Sequence, residues 1–262
     1  MNKLKRQVKI IEELESKGVV DINQLHETLK VSKVTIRSDI EELDQKGYLV
    51  KTRGGGILSN NRNLVRLIEK TIHEYENEKD LIAQSASKMI KPGMRVIIDS
   101  GSTTSFLPRY LKEMNLTVIT NSLIIVHELC GLKNINLIVT GGSLRHESQS
   151  LIGISSLSFF DTVNADILFL GATGFTVDRG TSASDIMEAE TKKMMISSSK
   201  EVYLLMDSSK IGKNSLSRIC RTSELTGVIT DRISDKMVQQ LKEQNVSVLQ
   251  SIPENPEREI SV

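Results

Sequence analysis

Apolar positions in the first fifty residues recur at spacings of three and four. Leu4, Val8, Ile11 and Leu14 form one stripe, Ile22, Leu25 and Leu29 a second, and Ile36, Ile40 and Leu43 a third. Each spacing predicts an amphipathic helix. Gly18 ends the first helix and Gly47 the third. Asp21 is placed to cap the second, with Gln24 three residues on in a capping-box arrangement, and Ser32 caps the third after the short turn Lys30-Val31. Tyr48 to Arg53 reads as a strand, Gly54-Gly55-Gly56 as a turn, and Ile57-Leu58 as a returning strand. Helix, helix, turn, helix and hairpin predict a winged helix-turn-helix over residues 1–58.

Residues 59–79 are polar and read as a linker, with helical character around Leu64 to Tyr75. From residue 80 the rhythm changes. Short β-branched runs at 95–99, 117–120, 136–140, 166–170, 202–206, 227–230 and 246–249 alternate with helical patterns at 103–113, 122–130, 185–199 and 233–243. This alternation predicts an α/β domain over 80–262, a mostly parallel sheet with helices on both faces. Ligands of such sheets bind at the carboxyl ends of the strands.

Composition narrows the picture. A chain of 262 residues has room for two domains, and 39% hydrophobic with 26% charged residues fits a soluble protein with a real core. No apolar run reaches bilayer length, and no apolar segment with a cleavage site follows the basic start, so no secretion signal is expected. Cys130 and Cys220 make no disulfide framework, and the cytosol is the expected compartment. The four histidines lack metal spacing; His127 and Cys130 share a helical face, but a pair is too few for structural zinc. No metal and no cofactor are expected.

The net charge of +1 does not favour nucleic acid by itself. Residues 1–56 hold eleven Lys/Arg against nine Asp/Glu, so a DNA partner requires charge focused on one face. The third helix supplies such a face. With Ile36, Ile40 and Leu43 inward, Val34 and Ser38 point out, flanked by Thr35 and Arg37. An outward valine in the first turn suits a major groove, where its methyls meet thymine methyls. Arg37 is placed for guanine or phosphate. Ser32, Lys33 and Thr35 sit where the helix start meets the DNA backbone, and Lys51 and Arg53 on the wing are placed for flanking phosphates. The competing reading is a three-helix protein-binding module.

The run Val31-Ser32-Lys33-Val34-Thr35-Ile36-Arg37-Ser38-Asp39-Ile40, with Leu43, Gly47 and Arg53-Gly54-Gly55, resembles the signature of the DeoR family of bacterial transcription regulators. It departs at Ser38, where that family often carries a second arginine, so one contact and the operator preference differ from those of such relatives. The resemblance implies a duplex operator as partner.

The strand-end loops carry the second set of candidates. Asp99-Ser100-Gly101-Ser102-Thr103-Thr104 follows a strand and opens a predicted helix. Glycine, three hydroxyls and helix N–H groups make a cradle for phosphate or carboxylate. It is neither a P-loop nor a dinucleotide loop, and taken alone such a start is more often an ordinary helix cap. Asn121, Gly141-Gly142 and Gly171-Ala172-Thr173-Gly174 follow other strands, and Arg145, Lys192 and Lys210 are placed to supply positive charge. These loops, with Glu188 to Lys192 and Asp207 to Lys210, resemble the effector half of DeoR regulators in order along the chain. That half is similar in fold to ribose-5-phosphate isomerase. The stretch 140–150 with Gly153 and 166–171 resembles regulators of N-acetylgalactosamine use.

The resemblance implies a repressor of sugar utilisation that is relieved by a phosphorylated sugar, with amino-sugar phosphates among the candidates. A working isomerase is the rival. It needs a base beside the carbonyl, yet Leu170-Gly171-Ala172-Thr173-Gly174 holds no acid, and Glu188 stands without partners; Asp178 and Asp185 are the nearest substitutes. No enzymatic activity is expected. Paired half-sites multiply the affinity of a small winged helix, so an oligomer, at least a dimer, is expected.

Overall fold

The computed structural model describes residues 3–45, 49–58 and 68–252. The chain divides into two units, Met1–Val65 and Arg66–Val262. The first holds α1 (Lys3–Lys17), β1 (Val19–Asp21), α2 (Ile22–Leu29), α3 (Lys33–Gln45), β2 (Leu49–Lys51) and β3 (Gly55–Leu58). Ile10, Ile11 and Leu14 of α1 close over Ile22, Leu25 and Leu29 of α2 and Ile36, Ile40 and Leu43 of α3, all buried. The side chains of Leu4 and Val8, and the expected stop at Gly47 with Tyr48, lie outside the described residues. Asp21 caps α2, its carboxylate accepting from the Asn23 and Gln24 amides at 2.8 and 3.1 Å.

The wing is a three-stranded antiparallel sheet in the order β1-β3-β2. The expected hairpin is therefore extended by β1, three residues too short to announce themselves by periodicity. Gly55 makes that pairing possible, because a Cβ there would lie 1.9 Å from the Val20 carbonyl oxygen. A buried ion pair fixes α1 to α3. The Arg6 guanidinium donates to both Asp39 oxygens, through Nε and through a second bond of 3.0 Å. That hydrogen bond and the carboxylate charge outweigh burial and raise the Arg6 pKa.

The second unit opens with α4 (Ile68–His73) and α5 (Glu76–Ser87). Residues 68–79, expected as linker, are thus mostly helical, and Ile68, Thr71, Lys79 and Ile82 are buried. The helical character expected up to Tyr75 is thus present at Ile68–His73. The unit continues through β4 (Arg95–Ile98), a 3₁₀ turn Thr104–Tyr110, β5 (Leu116–Thr120), α6 (Leu123–Leu129), β6 (Ile135–Val139), β7 (Ser143–Arg145), β8 (Ser150–Ile152) and α7 (Ile154–Phe160). It then runs through β9 (Ala165–Leu170), β10 (Gly174–Thr176), β11 (Gly180–Ala183), α8 (Ile186–Ser197), β12 (Ser199–Leu205), β13 (Ser217–Cys220), β14 (Gly227–Thr230), α9 (Asp235–Lys242) and β15 (Ser247–Gln250).

Seven strands form one parallel sheet in the order β15-β14-β12-β9-β4-β5-β6. Alternate residues feed two cores. Val96, Ile98, Ile167 and Phe169 pack with α5, α6 and the 3₁₀ turn, while Ile97, Leu168 and Leu170 pack with α7, α8 and α9. Burial on both faces explains the near-continuous apolar runs of these strands. At the amino-terminal edge, Asp166 ties β4 to β9 by accepting from the Arg95 guanidinium at 2.8 Å and the Arg95 amide at 3.0 Å, with Lys200 at 3.2 Å. Two small antiparallel additions, β7-β8 and β10-β11-β13, lie outside the main sheet. Because the seven strands run the same way, every loop that follows one emerges at the same carboxyl edge.

Candidate functional site

The first unit presents one face of α3. The Ser32 hydroxyl accepts from the Thr35 amide at 3.1 Å and lies 2.8 Å from the Thr35 hydroxyl, so the cap fixes where the helix begins. Beyond it Lys33, Val34, Arg37 and Ser38 are exposed and Thr35 is half-buried. Val34 is 72% exposed, a high figure for an apolar residue inside a well-capped helix. Arg53 is exposed in the turn before β3. Lys51 behaves differently from expectation. Its ammonium bonds Glu41 at 2.8 Å and its amide bonds Asp44 at 2.9 Å, so it pins the wing to α3; the exposed ion pair is weak enough to yield to a phosphate.

At the carboxyl edge of the large sheet, the loops after β4, β5, β6, β9 and β12 converge. The first does not open a long helix. In place of the helix expected over 103–113 stands a seven-residue 3₁₀ turn with Pro108 inside it, since proline removes a donor and crowds the preceding turn. The Thr104 hydroxyl is spent within the loop: it donates to the Asp99 carbonyl at 2.5 Å and accepts from the Gly101 amide at 2.8 Å. Ser100 and Thr103 are buried, whereas Gly101 and Ser102 are half-buried. Gly101 is needed for a close approach between loops, because a Cβ on it would stand 3.2 Å from the Gly171 Cα.

Asp99 is the centre of the site's electrostatics. It is fully buried, accepts from the Gly171 amide at 2.8 Å, and pairs with the Lys192 ammonium. Lys192 also reaches the Gly171 carbonyl at 3.2 Å and Glu188 at 3.4 Å. Burial alone depresses the Lys192 pKa, but the charges of Asp99 and Glu188, with their hydrogen bonds, outweigh it and the net shift is upward. Lys192 was expected to offer charge to an anionic ligand. At 2% exposure, with two carboxylates on it, its charge is consumed within the protein. Lys210 is likewise buried, in a 3₁₀ turn Ser208–Lys210 begun by Asp207.

Arg145 is the cation nearest to availability. It ends β7, donates to the Ser148 hydroxyl at 3.2 Å, and stands 3.9 Å from both Glu147 and Glu188. At 3.9 Å these are ion pairs without full hydrogen bonds, which leaves guanidinium donors for a further anion. Gly141 and Gly142 bring β7 out of the β6 loop and are exposed. Asn121 is buried at the end of β5. Its amide donates to the Leu151 carbonyl at 3.2 Å, which fixes the side-chain orientation, and its Oδ1 accepts no hydrogen bond among the described residues. Asp207 Oδ2 is in the same condition. Buried acceptors without donors are costly, and both lie just past strand ends at the carboxyl edge of the sheet. Sequence reasoning missed the Asp99–Lys192–Glu188 cluster, although Glu188 and Lys192 stand at helical i,i+4 spacing.

Residues 6–62 match the model of the DeoR-like helix-turn-helix domain, and residues 74–232 match that of the DeoR C terminal sensor domain. The chain is 36% identical to the HTH-type transcriptional regulator IolR of Bacillus subtilis, over 94% of this chain and 98% of that one. It is 31% identical to a putative aga operon transcriptional repressor of Escherichia coli O157:H7, over 86% and 85% of the two chains. Among solved structures, ribose 5-phosphate isomerase A of Methanocaldococcus jannaschii aligns over 52% of this chain and 54% of its own, at 21% identity and a TM-score of 0.38. With both domain models matched in order and a relative aligned from end to end, the chain belongs to the DeoR family of transcription regulators.

Proposed function

We propose that this protein represses a sugar-utilisation operon by binding its operator through α3 and the wing, and that a phosphorylated sugar seated at the carboxyl edge of the large sheet relieves that binding. The observation that carries the DNA half is the exposed Val34 with Arg37 and Ser38 on a helix whose start is fixed by Ser32. In this reading Arg37 and Val34 meet base edges, while Ser32, Lys33, Thr35 and Arg53 meet phosphates. Arg37→Ala weakens operator binding by about 1–3 kcal/mol if it reads a guanine, and weakens all sequences evenly if it holds phosphate. Mobility shifts on the region upstream of the protein's own gene distinguish the two, and unchanged binding by Arg37→Ala with Val34→Asp together sinks the assignment.

The effector half rests on the convergence of Ser102, Gly141-Gly142 and Arg145 with the unpartnered acceptor of Asn121. Arg145 serves the phosphate, and Asn121 and Asp207 select sugar hydroxyls or an amino group. Lys192 holds Asp99 and Glu188 in place beneath the ligand. We read the site as a sensor and not a catalyst because Asp99 and Glu188 are both engaged by Lys192, whereas an aldose–ketose proton shift needs a base free to take the proton. The protein acts as an oligomer, at least a dimer, so that two winged helices share one operator; a monomeric mass in light scattering, with and without DNA, would contradict this.

A further inference from the structure

Helix α4 is the first described element after the stretch that joins the two units, and its first turn is tied to the effector loops. The Ile68 amide donates to the Glu147 carbonyl at 2.7 Å, and the Gln149 side-chain amide donates to Glu69 Oε1 at 2.7 Å. Both partners belong to the turn between β7 and β8, the turn that Arg145 begins. The other side of that turn is fastened to the loop after β5. The Gln149 carbonyl accepts from the Leu123 amide at 2.9 Å, and Asn121 exchanges bonds with Leu151 at 2.8 and 3.2 Å.

Gln149 therefore holds α6 with its backbone and α4 with its side chain. It does so at φ +47°, in the left-handed region that favours glycine. A glutamine kept there by its surroundings marks a position where the side chain matters.

The far end of α4 is also at the effector edge. Glu74 and Tyr75 line a cavity of about 320 Å³ together with Ser209 and Lys213 of the loop after β12. Lys79 closes the helix end by donating to the Thr71 and Glu74 carbonyls. The chain from Ile68 to Tyr75 thus runs between the β7–β8 turn and the loop after β12.

We propose that α4 is the strap that couples effector to operator: an occupied site moves the β7–β8 turn, and the Glu69–Gln149 and Ile68–Glu147 contacts pass that movement to the point where the chain leaves for the winged helix. The trigger rests on the effector reading given above. The coupling itself is testable without it.

The test uses the full chain and three variants. Gln149→Gly removes the side chain in a conformation glycine favours, Glu69→Ala removes the acceptor, and Glu69→Gln retains it. Without ligand, the two disruptive variants should speed hydrogen exchange over 68–74 and move the operator half-saturation point by about threefold or more, while Glu69→Gln behaves as wild type. Galactosamine 6-phosphate, galactose 6-phosphate and ribose 5-phosphate are then titrated by calorimetry and in operator-binding assays. The disruptive variants should bind whichever sugar phosphate wild type binds, within about threefold, yet lose most of its effect on the operator, where couplings of about 5- to 150-fold are typical. Unchanged exchange with unchanged operator binding, or a full ligand response in both disruptive variants, overturns the strap. Failure of all three compounds to bind wild type counts against the effector reading alone, and the ligand-free arm still decides the strap.

Discussion

If Lys192 is a clamp and not a ligand contact, replacing it should cost stability before it costs recognition. Lys192→Met keeps the stem and removes the ammonium. Asp99 is fully buried and Lys192 is 2% exposed, so the substitution leaves a carboxylate without its counter-charge. Breaking one partner of a buried pair costs about 3–5 kcal/mol. The Gly171 amide still donates to Asp99 at 2.8 Å, which places the cost at the lower end, about 3 kcal/mol. With a urea slope of about 1–3 kcal/mol/M, the unfolding midpoint of the second unit should fall by about 1–3 M in circular dichroism. Adding Asp99→Asn to Lys192→Met removes the stranded charge and should recover part of the loss. The Lys192 pKa is raised in the folded chain, so its contribution is fully present below the ordinary lysine value of about 10.4 and is lost as pH rises through the folded value. The gap between wild type and variant should stay constant through neutral pH and close only in strong alkali. A variant that melts in urea like wild type while losing sugar-phosphate binding would refute the clamp and return Lys192 to the ligand.

Two further outcomes follow from the ion pairs. Arg6→Ala leaves Asp39 buried and uncompensated, a cost of about 3–5 kcal/mol that rivals the stability of a unit this small, so operator binding should vanish; Arg6→Met with Asp39→Leu should restore the helical dichroism, and intact binding by Arg6→Ala would contradict the pairing. Asp166, held below the usual carboxylate range chiefly by the Arg95 side-chain hydrogen bond, contributes stability above pH about 4 that is lost as pH falls through its lowered value. Urea curves for Asp166→Asn should therefore lie below wild type at neutral pH and converge with it in acid, and a constant gap down to the lowest pH would contradict this.

The main sheet was legible because strands buried on both faces must be apolar almost throughout, as Ile167, Leu168, Phe169 and Leu170 are. The hairpin β7-β8 and the sheet β10-β11-β13 were not, since segments such as Gly180-Thr181-Ser182-Ala183 are held by neighbours and carry no period of their own. The exposed face of α3, with Val34, Arg37 and Ser38, was legible from the wheel alone. The same wheel places Asp39 beside Leu43 at the margin of the inward side, and a buried acid demands a cation; that cation, Arg6, lies on the first helix, 33 positions away. The surroundings of Lys192 were hidden for a related reason. A lone lysine looks like surface, and only the fold brings Asp99, 93 positions away, to its ammonium. Asn121 was found as a polar residue at a strand end, but its unpartnered oxygen exists only in three dimensions.

The central claim is that the second unit reads a phosphorylated sugar and reports it to DNA. The direct measurement is fluorescence anisotropy of labelled upstream DNA, titrated with the full protein in the presence of each of several sugar phosphates and the matching free sugars. The account predicts that one sugar phosphate weakens operator binding by about tenfold, within the usual range of allosteric coupling. The matching free sugar should not, and Arg145→Ala should abolish the response. Equal operator binding with every compound, or a response to free sugar as strong as to its phosphate, would contradict it.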